Sequence, residues 1–146
     1  MIRTAVHSDL PTLVAWNRAM ALETEALSLD PARLEAGVRA VLDDPALGEY
    51  FVAEVDGLPV GQLLVTREWS DWRNAAVWWI QSVFVPQEHR GAGHFGALYG
   101  FVRDRAQSQG AAGLRLYVDL RNERAMAVYS ALGMSGDHYR VFEEMF

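Results

Sequence analysis

The chain has no cysteine. That absence excludes a disulfide framework, a thiolate zinc site and a cysteine nucleophile. No apolar run approaches the ~20 residues that a membrane-spanning helix needs. The start, Met1-Ile-Arg-Thr-Ala-Val-His7, has no basic segment followed by an apolar core, so no secretory signal is expected there. A cytoplasmic protein with no membrane partner is the expectation. Positive charge is also short: 13 Lys+Arg against 19 Asp+Glu give a net charge of −6. Nucleic-acid binding needs a basic face, so no nucleic-acid partner is expected. The acidic balance is compatible with a cationic amine substrate, although acidity serves solubility in most proteins that show it. His7, His89, His94 and His138 share no i,i+4 spacing and no cluster, so no metal site is expected.

What remains is ordinary globular composition, 51% hydrophobic and 22% charged over 146 residues. That is enough chain for one domain, 1–146, with a core that needs no staples. Ile2–Val6 reads as a short strand. Ser8 or Asp9 can cap a helix with apolar residues at helical spacing from Leu10 to Ala21. Asp30-Pro31 opens a second helix, which Asp43-Asp44-Pro45 closes. Two strands, 49–55 and 58–66, flank the hairpin signal Asp56-Gly57. A third strand covers 75–85 and a helix runs from about 94 to 107. A strand follows at 114–119, then a helix over 122–132 that Gly133 ends, then a last strand near 139–145. The order β-α-α-β-β-β-α-β-α-β indicates an α/β (α+β) fold around one mixed central sheet.

The chemistry-bearing stretch is Val83-Phe-Val-Pro-Gln-Glu-His-Arg-Gly-Ala-Gly-His-Phe-Gly-Ala-Leu98. It reads as strand, glycine-bearing loop, helix. Glycine lets backbone N–H groups approach an anion, and the helix start adds unpaired N–H groups and a positive dipole end. Together these make a pyrophosphate cradle. It is not a Walker loop, because no Lys-Ser/Thr follows the glycines. Gly91-x-Gly93-x-x-Gly96 has the dinucleotide spacing but sits at mid-chain with no βαβ unit ahead of it.

A second block, Asn122-x-x-Ala-x-x-x-Tyr129-x-x-x-Gly133-Met134, follows the strand at 114–119. Arg-Gly-x-Gly opening a helix, then this pattern about thirty residues later, resembles the GNAT (Gcn5-related N-acetyltransferase) superfamily. The resemblance implies the GNAT fold, with the fourth and fifth strands splayed apart. It also implies an acyl-CoA-dependent N-acyltransferase that uses acetyl-CoA (coenzyme A) on a primary amine. The family usually has two strands after the last helix, and few residues follow Gly133, so one of them must be very short here.

By the same resemblance, the backbone of Val83, Phe84 and Val85 holds the pantetheine arm. Arg90, Gly91, Ala92, Gly93, His94, Phe95 and Gly96 hold the pyrophosphate, with Arg90 adding charge. Phe95 departs from the small residue the family has there, and its ring can pack inward instead. Asn122 is a helix cap and, by resemblance, a cofactor contact. From the bare sequence Tyr129 reads first as a core aromatic; the resemblance makes it the general acid for the departing thiolate. The strand stretch Trp78-Trp79-Ile80-Gln81-Ser82 lacks the carboxylate that some members carry. Glu23, Glu25, Glu68, Asp71 and Glu143 remain as bases, with Glu25 first and a water relay as the alternative. Four of the five tryptophans fall within 69–79. Trp69, Trp72, Trp79 and Gln81, with Glu25, are candidate acceptor contacts. The tryptophans are equally candidates for core or for a homodimer patch. Alternation puts Trp78 and Trp79 on opposite faces. Direct attack in a ternary complex on a small-molecule amine is expected. The rival readings are O-acyl or longer-chain acyl transfer, and a non-catalytic acyl-CoA-binding sensor or interaction module.

Overall fold

The structure, a computed structural model, describes residues 1–146. It divides into two compact units, Met1–Arg115 and Leu116–Phe146. The larger unit holds β1 (Ile2–Thr4), α1 (Leu10–Glu25), α2 (Pro31–Asp43), β2 (Glu49–Val55), β3 (Leu58–Ser70), β4 (Ala75–Phe84), α3 (His94–Ser108) and β5 (Gly113–Arg115). The smaller holds α4 (Glu123–Ala131).

The five strands lie side by side in chain order, antiparallel except for the parallel β4–β5 pair. The turn Asp56-Gly57 has both residues at positive φ, 51° and 77°, which is the two-residue geometry that matches strand twist. Register then assigns the faces. Tyr50, Val52 and Leu64 face α1 and α2, where they pack with Leu10, Leu13 and Val38. Phe51 points the other way, edge-on to Phe101 of α3 at 5.3 Å between ring centroids. At one end of that α3 face, Glu49 takes both Arg67 and Arg105. Arg67 lies over the Trp78 ring at 4.4 Å and Arg105 over Phe51 at 5.6 Å.

The start of α2 follows from its cap, and that of α1 does not. Asp30 accepts the Arg33 N–H at 2.9 Å and Pro31 takes the first helical position. Ahead of α1 the expected cap does not form. The Asp9 carboxylate turns back instead, accepts the Val6 N–H at 2.7 Å and takes a fork from Arg3 at 2.7 and 2.9 Å. The Arg3 hydrogen bonds hold the Asp9 carboxyl below its ordinary range, against the opposing effect of burial. The stability this confers is present above pH ~4 and is lost as pH falls through the lowered value.

The C-terminal half departs from the sequence reading in two places. The strand expected at 114–119 is only Gly113–Arg115, three rungs on β4. The final strand expected near 139–145 does not form. A strand exists through its ladder. The 139–146 run has the aromatic and β-branched character but adds no strand to the five-stranded sheet, and Tyr139, Val141, Phe142, Met145 and Phe146 are exposed. In the smaller unit α4 forms as expected. The Asn122 side chain accepts the Ala125 N–H at 3.1 Å. Gly133, at φ 87°, closes the helix with Gly133 N–H on the Ser130 carbonyl and Met134 N–H on the Tyr129 carbonyl.

Candidate active site

The β4–β5 ladder stops at Trp79–Arg115, while β4 runs on to Phe84, still paired with β3 through Gln62. From Ile80 onward β4 therefore has β3 on one edge and no rung to β5 on the other, which is the expected splay. Gln81 sits where the strands part. Ile80 opposes Val65 and Ser82 opposes Leu64, so Gln81 is an extra residue, a bulge that bends and twists the strand. Val83 and Phe84 lie in this one-sided stretch and Val85 follows it.

Beyond Pro86 a single 3₁₀ turn, Gln87–His89, leads to Arg90. Gly91 and Gly93 then take φ values of 83° and 82°, a region that glycine enters without the strain a side chain would cause. Gly93 is the N-cap of α3 and no side chain caps that end. Helix geometry leaves the first-turn N–H groups over. A Cβ built on Gly91, Gly93 or Gly96 would meet nothing within 4 Å. Open space before leftover N–H groups at a positive helix end suits an anion. On these grounds the residues present fit the diphosphate of coenzyme A. His94 begins α3, its ring 6.5 Å from that of His89. Phe95 is half-buried and stacks on Tyr99 four residues on, at 6.3 Å.

Arg90, expected to add charge beside the loop, is held by groups of the protein itself. Its two terminal nitrogens fork onto Glu23 at 2.7 and 2.8 Å. Its Nε donates to the Val85 carbonyl at 2.9 Å, and its guanidinium carbon lies 5.8 Å from the Phe84 ring centre. The Glu23 hydrogen bonds, opposed by burial, push its pKa further up. Glu23 and Arg90 are 67 residues apart, and nothing local in the sequence pairs them.

The tryptophan-rich stretch divides by face. Trp79 opposes Thr66 and Trp69 opposes Ala76. Thr66 and Trp69 are three residues apart, so Trp69 and Trp79 point to opposite sides of the hairpin. On the α1 side, Trp79 Nε1 donates to Glu68 at 2.6 Å, Gln81 donates to Thr66 at 2.8 Å, and Arg115 reaches Glu68 at 3.2 Å. Trp78, on the α3 side, is 2% exposed and belongs to the core. Trp69 is exposed, and Trp72, at 91%, stands out from the tip of the turn. Thr66 and Glu68 thus join Trp79 and Gln81, whereas Trp69 does not. Register supplies that grouping, and composition could not. Glu25 is exposed in the last turn of α1, before Ala26 at φ 52°.

In the smaller unit Asn122 does its capping work as described. Tyr129 is half-buried, and that burial pushes its phenol pKa up, so the hydroxyl keeps its proton at neutral pH. No helix of the chain is long and apolar enough to cross a membrane. No cluster of three or more His, Asp or Glu side chains could hold a metal ion.

A strand unzipped from its neighbour, running into a glycine loop and an uncapped helix, makes an α/β corner suited to an anionic ligand. The family model for the acetyltransferase (GNAT) family matches residues 12–134. The solved structure of a possible acetyltransferase from Clostridium difficile 630 is similar over 100% of this chain and 97% of its own, at 39% identity and a TM-score of 0.94. A bovine thialysine N-epsilon-acetyltransferase is 30% identical over 91% of this chain and 82% of its own length. An aminoglycoside N-acetyltransferase, AAC(6')-Iy, solved in complex with CoA, shares the fold at a TM-score of 0.81 and 16% identity, over 99% of this chain and 93% of its own. The chain belongs to the GNAT family of acetyltransferases. It is an acetyltransferase with acetyl-CoA as its cofactor and an amine as its acceptor.

Proposed function

We propose that this enzyme acetylates a primary amine of a small molecule by direct attack within a ternary complex. The observation that carries the reading is the corner from Val83 to Gly96, with one-sided strand backbone running into left-handed glycines and an uncapped helix start. Acetyl-CoA supplies the acyl thioester. The backbone of Val83–Val85 orients its pantetheine arm, and the N–H groups of Gly91–Gly96 hold its diphosphate. Asn122 fixes the start of α4 and, by family likeness, also touches the cofactor. Tyr129 gives its phenolic proton to the departing sulfur, a role that a raised pKa serves by keeping the group protonated. Glu25, or a water beside it, takes the proton from the amine. The acceptor side is read as Thr66, Glu68, Trp79 and Gln81, whose carboxylate and indole suit a cationic amine. The name of the bovine relative points to an amine at the end of an amino-acid side chain as the first acceptor class to try.

The test is thiol release from acetyl-CoA against a panel of lysine analogues, polyamines and aminoglycosides. Release with an alkylamine confirms the reading, and no release with any amine, while CoA binds, overturns it. In the same assay Glu25→Gln should lower turnover most at low pH, where stripping the ammonium of its proton is hardest. A wild-type pH–rate profile in that variant leaves the water relay.

A further inference from the structure

Glu23 lies in the last turns of α1, far in sequence from the glycine loop, and no step above uses it. Its carboxylate takes both terminal nitrogens of Arg90, the residue directly before Gly91. A planar fork of this kind fixes direction as well as distance. The same guanidinium is held from a second side by the Val85 carbonyl and lies near the Phe84 ring, which contacts Trp16 of α1 at 6.4 Å. Arg90 therefore joins three things: the end of β4, the body of α1 and the entrance to the loop. The loop itself has little else to hold it. Gly91, Ala92 and Gly93 are exposed, and the space a side chain would take at Gly91 and Gly93 is empty.

We propose that Glu23 is a positioning residue for the diphosphate loop, fixing Arg90 so that the N–H groups of Gly91–Gly96 are set before the cofactor arrives. The proposal rests on the reading of that loop as the diphosphate cradle. Ordering a loop at the moment of binding costs affinity, and holding it beforehand removes that cost. A freed Arg90 would act in the opposite direction by reaching the anion itself. That gain is small for an exposed ion pair in water, and it would give up the Val85 carbonyl and the Phe84 ring. Preorganisation is therefore the larger effect.

Calorimetric titration with CoA of wild type, Glu23→Gln, Arg90→Gln and the double variant tests this. Glu23→Gln should weaken CoA binding about fivefold to tenfold, and the double variant should bind no more weakly than Arg90→Gln alone, because the two residues act as one unit. The preference for acetyl-CoA over S-acetylpantetheine, which lacks the diphosphate, should fall by the same factor. A merely structural role would lower the use of both donors alike and leave that preference where it was. CoA binding by Glu23→Gln that equals or exceeds wild type overturns the proposal, as do additive losses or an unmoved preference. Should Glu23→Gln fail to fold, Glu23→Asp, which keeps the charge but shortens the reach, gives the same comparison with a smaller loss. If CoA affinity survives Gly93→Val in a folded protein, the cradle reading fails on its own, whatever Glu23 does.

Discussion

From Gln81 to Gly96 the candidate site is made of backbone, whereas from Thr66 to Trp79 it is made of side chains. The first stretch works through N–H groups, a bulge and two left-handed glycines, and its side chains mostly serve the core: Phe84 lies against Trp16 and Phe95 against Tyr99. The second is a hairpin whose strands pair from Thr66–Trp79 to Ser70–Ala75, and it presents its side chains on the two faces. A backbone site tolerates changes in side chain so long as the dihedrals hold. A side-chain site can be re-aimed by one substitution while the fold stays intact. That difference matches what each is proposed to recognise, a cofactor common to the family on one side and an acceptor particular to this chain on the other.

Tyr129 stands outside both stretches, and the largest effect is expected there. Tyr129→Phe keeps the ring and so the half-buried packing. If the phenol is the acid, kcat should fall about 10²–10⁴-fold with CoA affinity nearly intact. Because burial raises the pKa, the alkaline limb of the wild-type kcat profile that reports this proton should lie above pH ~10 and vanish in the variant. More than half of wild-type turnover, with chemistry rate-limiting, makes Tyr129 a core aromatic and nothing more.

The cofactor stretch breaks next, and two glycines sharpen how. Gly93 is held at φ 82°, so Gly93→Val strains the backbone as well as filling the cradle. CoA affinity should fall at least tenfold, about 1.4 kcal/mol, as titration would show. Gly96 lies inside α3 at an ordinary helical φ and its Cβ direction is open. Gly96→Ala should therefore stabilise the free protein by up to ~1 kcal/mol in thermal melts while weakening CoA severalfold. Higher stability with unchanged CoA affinity would place the diphosphate elsewhere along the loop.

The two stretches also differ in what the sequence declares. Glycines at 91 and 93, Pro86 and the apolar run into Val83 state conformations directly, so the strand–loop–helix corner is legible residue by residue. Asp30-Pro31, Asp56-Gly57 and Asn122 with Gly133 are legible for the same reason. The acceptor side is not, because which of Trp69, Trp72 and Trp79 share a face depends on where the bulge falls, and Gln81 looks like any strand residue until Val65 and Leu64 are seen opposite its neighbours. The Glu23–Arg90 fork is a long-range pairing with no local cue. Asp9 shows the reverse failure, a correct cap residue drawn away by an arginine from β1. The strand expected near 139–145 shows that alternation proposes a strand but only a neighbouring ladder makes one.

The smallest effect, and the sharpest test of the face assignment, comes from a pair of tryptophans. Trp79→Phe keeps an aromatic ring on the α1 side of the hairpin and removes the indole N–H that Glu68 accepts at 2.6 Å. Glu68 keeps Arg115 at 3.2 Å and is partly exposed, so a hydrogen bond to charge is discounted here to about 1 kcal/mol. If that carboxylate meets the acceptor's ammonium, freeing it to swing should raise the acceptor KM about fivefold and leave the KM for acetyl-CoA alone. Trp69→Phe alters the opposite side of the same hairpin, at an exposed position, and should move neither constant beyond twofold. The two substitutions have the same chemistry and sit in adjacent strands, so hydrophobicity and aromatic content cancel between them. What differs is the face of the hairpin and the degree of exposure. An acceptor KM that responds to Trp69 and not to Trp79 would put the amine on the α3 side, detach Thr66, Glu68 and Gln81 from the acceptor site, and reduce the tryptophan-rich hairpin on the α1 side to scaffold.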